Sequence, residues 1–142
     1  GASPVNSAAG LPLPGGGNIP LWFGGHVDET LRRTAKLGDG WIMLAHPPGD
    51  RAKAEFDKLS AYTVAEGRNP AEIGLEVWVS VGADGPDEWR GEFEFWRDVG
   101  VSHITVNNTY DRGDHHTRIA GRSLADHITG IEIYRKAIED LL

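Results

Sequence analysis

Paired glycines, Gly24 and Gly25, end the uncharged run IPLWFGG (residues 19–25), and His26 and a helix-like pattern follow at once. Glycine leaves backbone amides unshielded, and a helix N-terminus carries partial positive charge, so this spacing can cradle a phosphate. The same pair can equally make a tight turn that needs positive φ. Neither the six-position dinucleotide fingerprint nor the GxxxxGK[ST] loop is present, and spacing alone leaves both readings open.

A second polar cluster, DRGDHH over residues 111–116, combines carboxylates with imidazoles. Asp114, His115 and His116 could ligate a metal for hydrolysis or move protons. Adjacent side chains on an extended loop point apart, which favours a solvated loop over a shared ion. His26 and His46 are single imidazoles in loop positions. Asn107 and Asn108 can contact a ligand or stabilise a turn through their own backbone. Arg118 and Arg122 can neutralise an anion or simply be solvated. No GxSxG nucleophile motif occurs, and the absence of Cys excludes disulfides, zinc–thiolate sites and thiol nucleophiles.

These residues need elements to position them. Residues 1–18 read as an extended leader, broken by Pro4, Pro12, Pro14 and three consecutive glycines. Residues 19–142 then read as one domain. Ile19–Phe23 lacks alternation, as expected of a parallel strand buried on both faces. Val27–Leu37 reads as a helix with Asp28 and Glu29 in its positive first turn. GDGW leads into a strand at Trp41–Leu44, and Asp50 can cap a helix whose inner face is Phe56, Leu59, Tyr62 and Ala65. Gly67 suits a left-handed C-terminal position, and Pro70 blocks continuation. Ile73–Val81 is a third strand. Pro86 opens a helix with a Trp89, Phe93, Trp96 stripe that closes near Gly100. Ser102–Asn107 is the fourth strand. Ser123 and Asp126 form a carboxylate capping box for a last helix, with Leu124, Ile128, Ile131, Tyr134, Ile138 and Leu141 as its apolar stripe.

Strand–helix alternation, four times over, calls for a mainly parallel α/β sheet. An open sheet satisfies it. So does half of a (β/α)₈ barrel, since a whole TIM barrel takes about 250 residues and this chain has 142. In either case ligands gather at the carboxyl ends of the strands.

Composition narrows the partners. A formal charge of −7 argues against a nucleic-acid surface, which needs clustered Lys and Arg. No apolar run approaches the about 20 residues that span a bilayer, and no signal peptide opens the sequence, so no membrane partner and a cytoplasmic setting are expected. The chain begins at Gly1 and its only methionine is Met43, which reads as a tag scar, a processed end or a fragment rather than an intact translation start.

Taken in order, LPLPGGGNIPLWFGG, LRRTAKLGDGW, AEGRNPAEIGLEVWVSVG and DVGVSHITVNN resemble the second half of the luciferase-like monooxygenases, from Leu11 to about Leu142. That superfamily comprises FMN-dependent monooxygenases and F420-dependent oxidoreductases on a (β/α)₈ TIM barrel. The resemblance implies strands five to eight of that barrel, with Gly24, Gly25 and His26, and Met43 and Leu44 across the next strand end, holding the phosphate of F420 or FMN. Gly40 is then a tight entry, Asp39 a cap or turn, and Trp41 a packing residue against the helices. The cofactor carries the redox chemistry in such enzymes, with a small-molecule substrate facing the other half of the barrel. The resemblance names no residue of this chain as the catalytic acid, base or nucleophile, so the catalytic residues are unknown, and it implies that the chain alone lacks the full active site.

A half-barrel exposes two strand edges. Either a missing N-terminal half or a second copy in a homo-oligomer is expected to cover them. The alternative is a non-catalytic α/β half-barrel that self-assembles and at most binds anions.

Overall fold

The computed structural model describes residues 19–82, 84–108, 121 and 123–142. The expected leader (1–18), the DRGDHH cluster with Asp114, His115 and His116, and Arg118 and Arg122 lie outside the described residues.

Strands β1 (Trp22–Gly24), β2 (Gly40–Ile42), β3 (Gly74–Val79) and β4 (His103–Val106) form one sheet in the order β1-β2-β3-β4, every neighbouring pair parallel. Between and after them run helices α1 (Asp28–Leu37), α2 (Asp50–Ala65), α3 (Pro86–Asp98) and α4 (Leu124–Ile138). Sequential order decides between the two architectures left open by the pattern. A doubly wound sheet reverses its strand order to place helices on both faces. Here the order never reverses, and right-handed crossovers then send every helix to the same face. This is the singly wound arrangement of a (β/α)₈ barrel, present as four units.

The core lies between that face and the helices. Trp41, Met43, Val77 and Val79 point into it and meet Leu31, Ala35, Phe56, Leu59 and Trp96. Aromatic rings bridge the layers edge to face: Trp41 on Phe56 at 5.9 Å and Phe56 on Trp96 at 6.3 Å between centroids.

The opposite face carries the other parity. Register aligns Trp22 with Gly40 and Gly40 with Gly74, and aligns Glu76 with His103 and Trp78 with Thr105. The Trp22 indole lies flat across two strands: a Cβ on Gly40 would sit 2.3 Å from its Cδ2, and one on Gly74 would sit 2.5 Å from its Cη2. Its far side meets His103 edge-on at 4.8 Å. The Gly40 of GDGW is therefore the floor of an aromatic slot rather than only a tight entry. Beyond it, Glu76 Oε1 accepts from Thr105 Oγ1 at 2.7 Å and from Trp78 Nε1 at 3.0 Å.

Loop chemistry sets the units. Asp39 Oδ2 accepts from the Leu21 amide at 2.7 Å, tying the GDGW turn to the chain entering β1. Gly67 takes φ 72°, as its left-handed role requires. In the following RNP segment Asn69 accepts from the Ala71 amide, and the Arg68 guanidinium donates to the carbonyls of Ala35 and Gly38, both at 2.8 Å. Arg68 thus satisfies acceptors at the C-terminal end of α1 that the helix cannot pair itself. Ser123 and Asp126 form the expected capping box.

Several expectations change. The first strand is shorter than Ile19–Phe23 and is an edge strand: Ile19 is 71% and Leu21 54% exposed, because β1 pairs only with β2 among the described residues. Asp50 is the first residue of α2 and does not cap it; Gly49, with φ 153°, takes that place. Ala65 is exposed, and Ala52 and Thr63 fill the inner face of α2 instead. In α4, Tyr134 and Ile138 are buried, but Leu124, Ile128 and Ile131 are 76%, 46% and 51% exposed. The helix packs on α3 at its C-terminal end, where Arg90 bonds the Ala137 carbonyl and pairs with Asp140. Between the C-terminal half of α4 and β4 lies a groove of about 440 Å³ lined by Ile104, Val106, Ile131, Tyr134 and Ile138.

Candidate functional site at the carboxyl edge of the sheet

Parallel pairing brings the carboxyl ends of all four strands to one edge. The segments there are Gly24–His26, Met43–His46, Ser80–Gly82 and Asn107–Asn108.

The two glycines are glycines for different reasons. Gly25 has φ 111°, a conformation that L side chains rarely adopt, and an added Cβ would come 3.3 Å from Thr30 Oγ1. This is the turn requirement. Gly24 is not in the positive-φ region, and a Cβ there would meet no protein atom within 4 Å. Nothing inside the described protein demands glycine at Gly24.

The open space beside Gly24 adjoins the N-terminus of α1. Val27 occupies the N-cap position with no side-chain cap hydrogen bond. Thr30 and Leu31 donate back to the Val27 carbonyl at 2.9 and 3.3 Å, which leaves the earlier amides of the turn directed at the loop. Two acids in this turn would repel an anion, but each is matched one turn on. Arg32 Nε meets Asp28 Oδ2 at 2.8 Å, and Arg33 lies 3.8 Å from Glu29. Asp28 also accepts from the Tyr62 hydroxyl of α2, over whose ring the Arg32 guanidinium sits at 4.2 Å. The Tyr62 bond, and next the Arg32 bond, hold the Asp28 carboxyl below its ordinary value; the same bond to Asp28 raises the Tyr62 phenol.

The loop is tied from beneath. Trp41, wholly buried, donates its indole N–H to the Gly25 carbonyl at 2.7 Å. A buried indole N–H needs an acceptor, and GDGW places this one opposite the glycines, since Phe23 and Trp41 are register partners.

The remaining sequence candidates are distributed along the same edge. His26 is exposed beside Gly25. Met43 is 2% exposed, and its amide donates to the Glu76 carbonyl at 2.8 Å, so its side chain belongs to the core beneath the edge. Leu44 and His46 are half-buried in the following loop. Asn108 is 8% exposed; its Oδ1 accepts from the Val81 amide at 3.1 Å and lies 3.4 Å from Ser80 Oγ, which stabilises the β3 and β4 loop ends. Among the described residues no group of three or more His, Cys, Asp or Glu side chains could hold a metal ion. No helix among them is long and apolar enough to cross a membrane.

The sequence reading did not find the Trp41–Gly25 bond, the Trp22 slot or the Arg68 cap. For the first, the signal was there: a tryptophan in a turn motif facing a glycine loop.

Comparison with known families places this geometry. The model of the luciferase-like monooxygenases matches residues 2–136. The chain belongs to that family. Among solved structures it is similar to the coenzyme F420-dependent tetrahydromethanopterin reductase of Methanopyrus kandleri, with a TM-score of 0.52 and 12% identity, over 63% of this chain and 45% of that one. It also matches a riboflavin lyase solved with modified FMN and riboflavin, at TM-score 0.44 and 21% identity, over 58% of this chain and 19% of the lyase. The chain thus spans less than half the length of either protein. No curated protein sequence matches it. The reductase likeness bears on fold alone and agrees with the singly wound topology: a TIM-barrel-type α/β enzyme fold.

Proposed function

We propose that this luciferase-like chain is the C-terminal half of an FMN- or F420-dependent oxidoreductase and supplies the cofactor-phosphate end of its site. The observation that carries this reading is Gly24, a glycine that neither backbone conformation nor packing requires, beside a helix N-terminus without a side-chain cap. The fit is consistent in charge, because Arg32 and Arg33 engage the two acids of the α1 first turn. The amides at Gly24, Gly25 and His26 would hold the phosphate, with Leu44 lining the neighbouring loop and Met43 supporting it from the core.

When bound, such a cofactor supplies hydride transfer, or oxygen activation in the case of FMN. The described residues orient its anionic tail. The ring and the small-molecule substrate would be met chiefly by the preceding half of the barrel.

Among the described residues β1 and β4 are edge strands without an outer partner, and these edges with the exposed Leu124, Ile128 and Ile131 of α4 favour a second element of the reading. The chain acts with a covering partner, either the preceding half of the barrel or a second copy of itself. Fluorescence titration with FMN, riboflavin and F420 tests the cofactor assignment. Tighter binding of FMN than riboflavin, or binding of F420, is expected; binding of none of them by the protein with its covering half present would leave the non-catalytic half-barrel.

A further inference from the structure

We propose that Trp41 is the positioning residue of the glycine loop, and that the donor it aims is the His26 amide. The inference rests on the phosphate reading of that loop.

A trans peptide is planar, with its C=O and N–H pointing in opposite directions. The Gly25 carbonyl and the His26 N–H belong to one such unit. Trp41 Nε1 holds that carbonyl at 2.7 Å from below, where the indole is 0% exposed. By peptide planarity the His26 N–H is thereby turned away from the core and toward the outside of the loop.

Without the clamp, Gly25 could rotate its peptide at little steric penalty, since glycine populates both signs of φ. The clamp removes that freedom. The indole that makes it is itself wholly enclosed by the core. The core, rather than the ligand, sets the direction of the amide, which lowers the ordering penalty of binding.

The test is Trp41→Phe, which keeps an aromatic ring in the core but deletes the N–H donor together with part of the ring volume. Amide chemical shifts of Gly25 and His26 are followed during titration with inorganic phosphate, with sulfate in parallel and chloride as the control for ionic strength. In the unsubstituted protein the His26 amide is expected to move with saturation. In Trp41→Phe the midpoint should rise about tenfold or more, the scale of one charge-assisted hydrogen bond.

Phe56→Leu serves as the comparison. It loosens the same core without touching the N–H, and should leave the midpoint within about twofold while lowering stability. Equal midpoints for Trp41→Phe and the unsubstituted protein overturn the clamp and leave the phosphate site standing. Equal increases in Trp41→Phe and Phe56→Leu reduce Trp41 to a packing residue and also overturn it. No shift at His26 in the unsubstituted protein overturns the phosphate reading, and the positioning role with it.

Discussion

On the helix-covered face of the sheet Trp41, Met43, Val77 and Val79 are each at most 2% exposed, while on the other face of the same strands His103 and Thr105 are exposed and Glu76 and Trp78 half-buried. Strand side chains alternate, so the two faces are made by alternate residues of the same strands and the same backbone. One face is closed by helices that the chain itself provides. The other has only what its own side chains offer: Trp22 laid over two glycines, and a hydrogen-bonded Glu76–Trp78–Thr105 group. The first face explains why the chain folds. The second has the character of a barrel interior with half its walls, and is the reason a covering partner belongs to the proposed function.

Breaking each face separately measures the difference. Trp41→Ala is expected to destabilise by about 3–5 kcal/mol in urea unfolding, because it empties a wholly buried site. Trp22→Ala should cost only about 1–2 kcal/mol, its ring being half-buried. Equal losses would mean that the open face is as complete as the covered one.

Gly74→Ala sharpens the point on the open face. The new methyl meets the Trp22 ring, and the expected loss is about 1–3 kcal/mol. Adding Trp22→Leu should recover part of it, and a double-mutant cycle would report the coupling. Strict additivity would show that Trp22 does not lie over Gly74 in solution.

The smallest effect concerns acid. Asp126 caps the N-terminus of α4 through Ser123 and Asp140 ties its C-terminal end to α3 through Arg90, and these bonds keep both carboxyls below the ordinary 3.8. Their stabilisation is therefore full above about pH 4 and is lost as pH falls through the lowered folded values. Glu92 runs the other way: burial raises its carboxyl above 4.5, so falling pH relieves it. Helix α4, which makes few contacts with β4, should loosen before α1 and α2 do, visible as earlier loss of hydrogen-exchange protection in residues 124–138 on acidification. Simultaneous loss in all helices would place α4 within the same cooperative unit as the covered core.

Much of this was legible from local chemistry. Pro86, Gly67 and the Ser123–Asp126 pair marked helix ends because their signals act over one turn and need no distant partner. The Trp89 and Trp96 stripe was legible for the same reason, as periodicity places it on one helix face. The α4 stripe misled at Leu124, Ile128 and Ile131, since periodicity shows which residues share a face and not whether anything covers it. β1 misled likewise: an apolar run is the same in a central strand and at an edge.

The glycine pair shows the division most clearly. Sequence determined that a bare-backbone turn precedes a helix and that GDGW follows one unit later, because residue type and spacing suffice for both, and the ordered set of motifs was enough to point to the family. Only tertiary structure separated Gly25, glycine by its positive φ, from Gly24, where neither φ nor a close protein neighbour requires glycine. Only it showed that Trp41 grips the loop across 16 residues of chain, and that Trp22 needs glycines on two neighbouring strands. The physical reason is the same in each case. These contacts join residues brought together by parallel register, and register is set by the packing of whole βα units rather than by any segment alone.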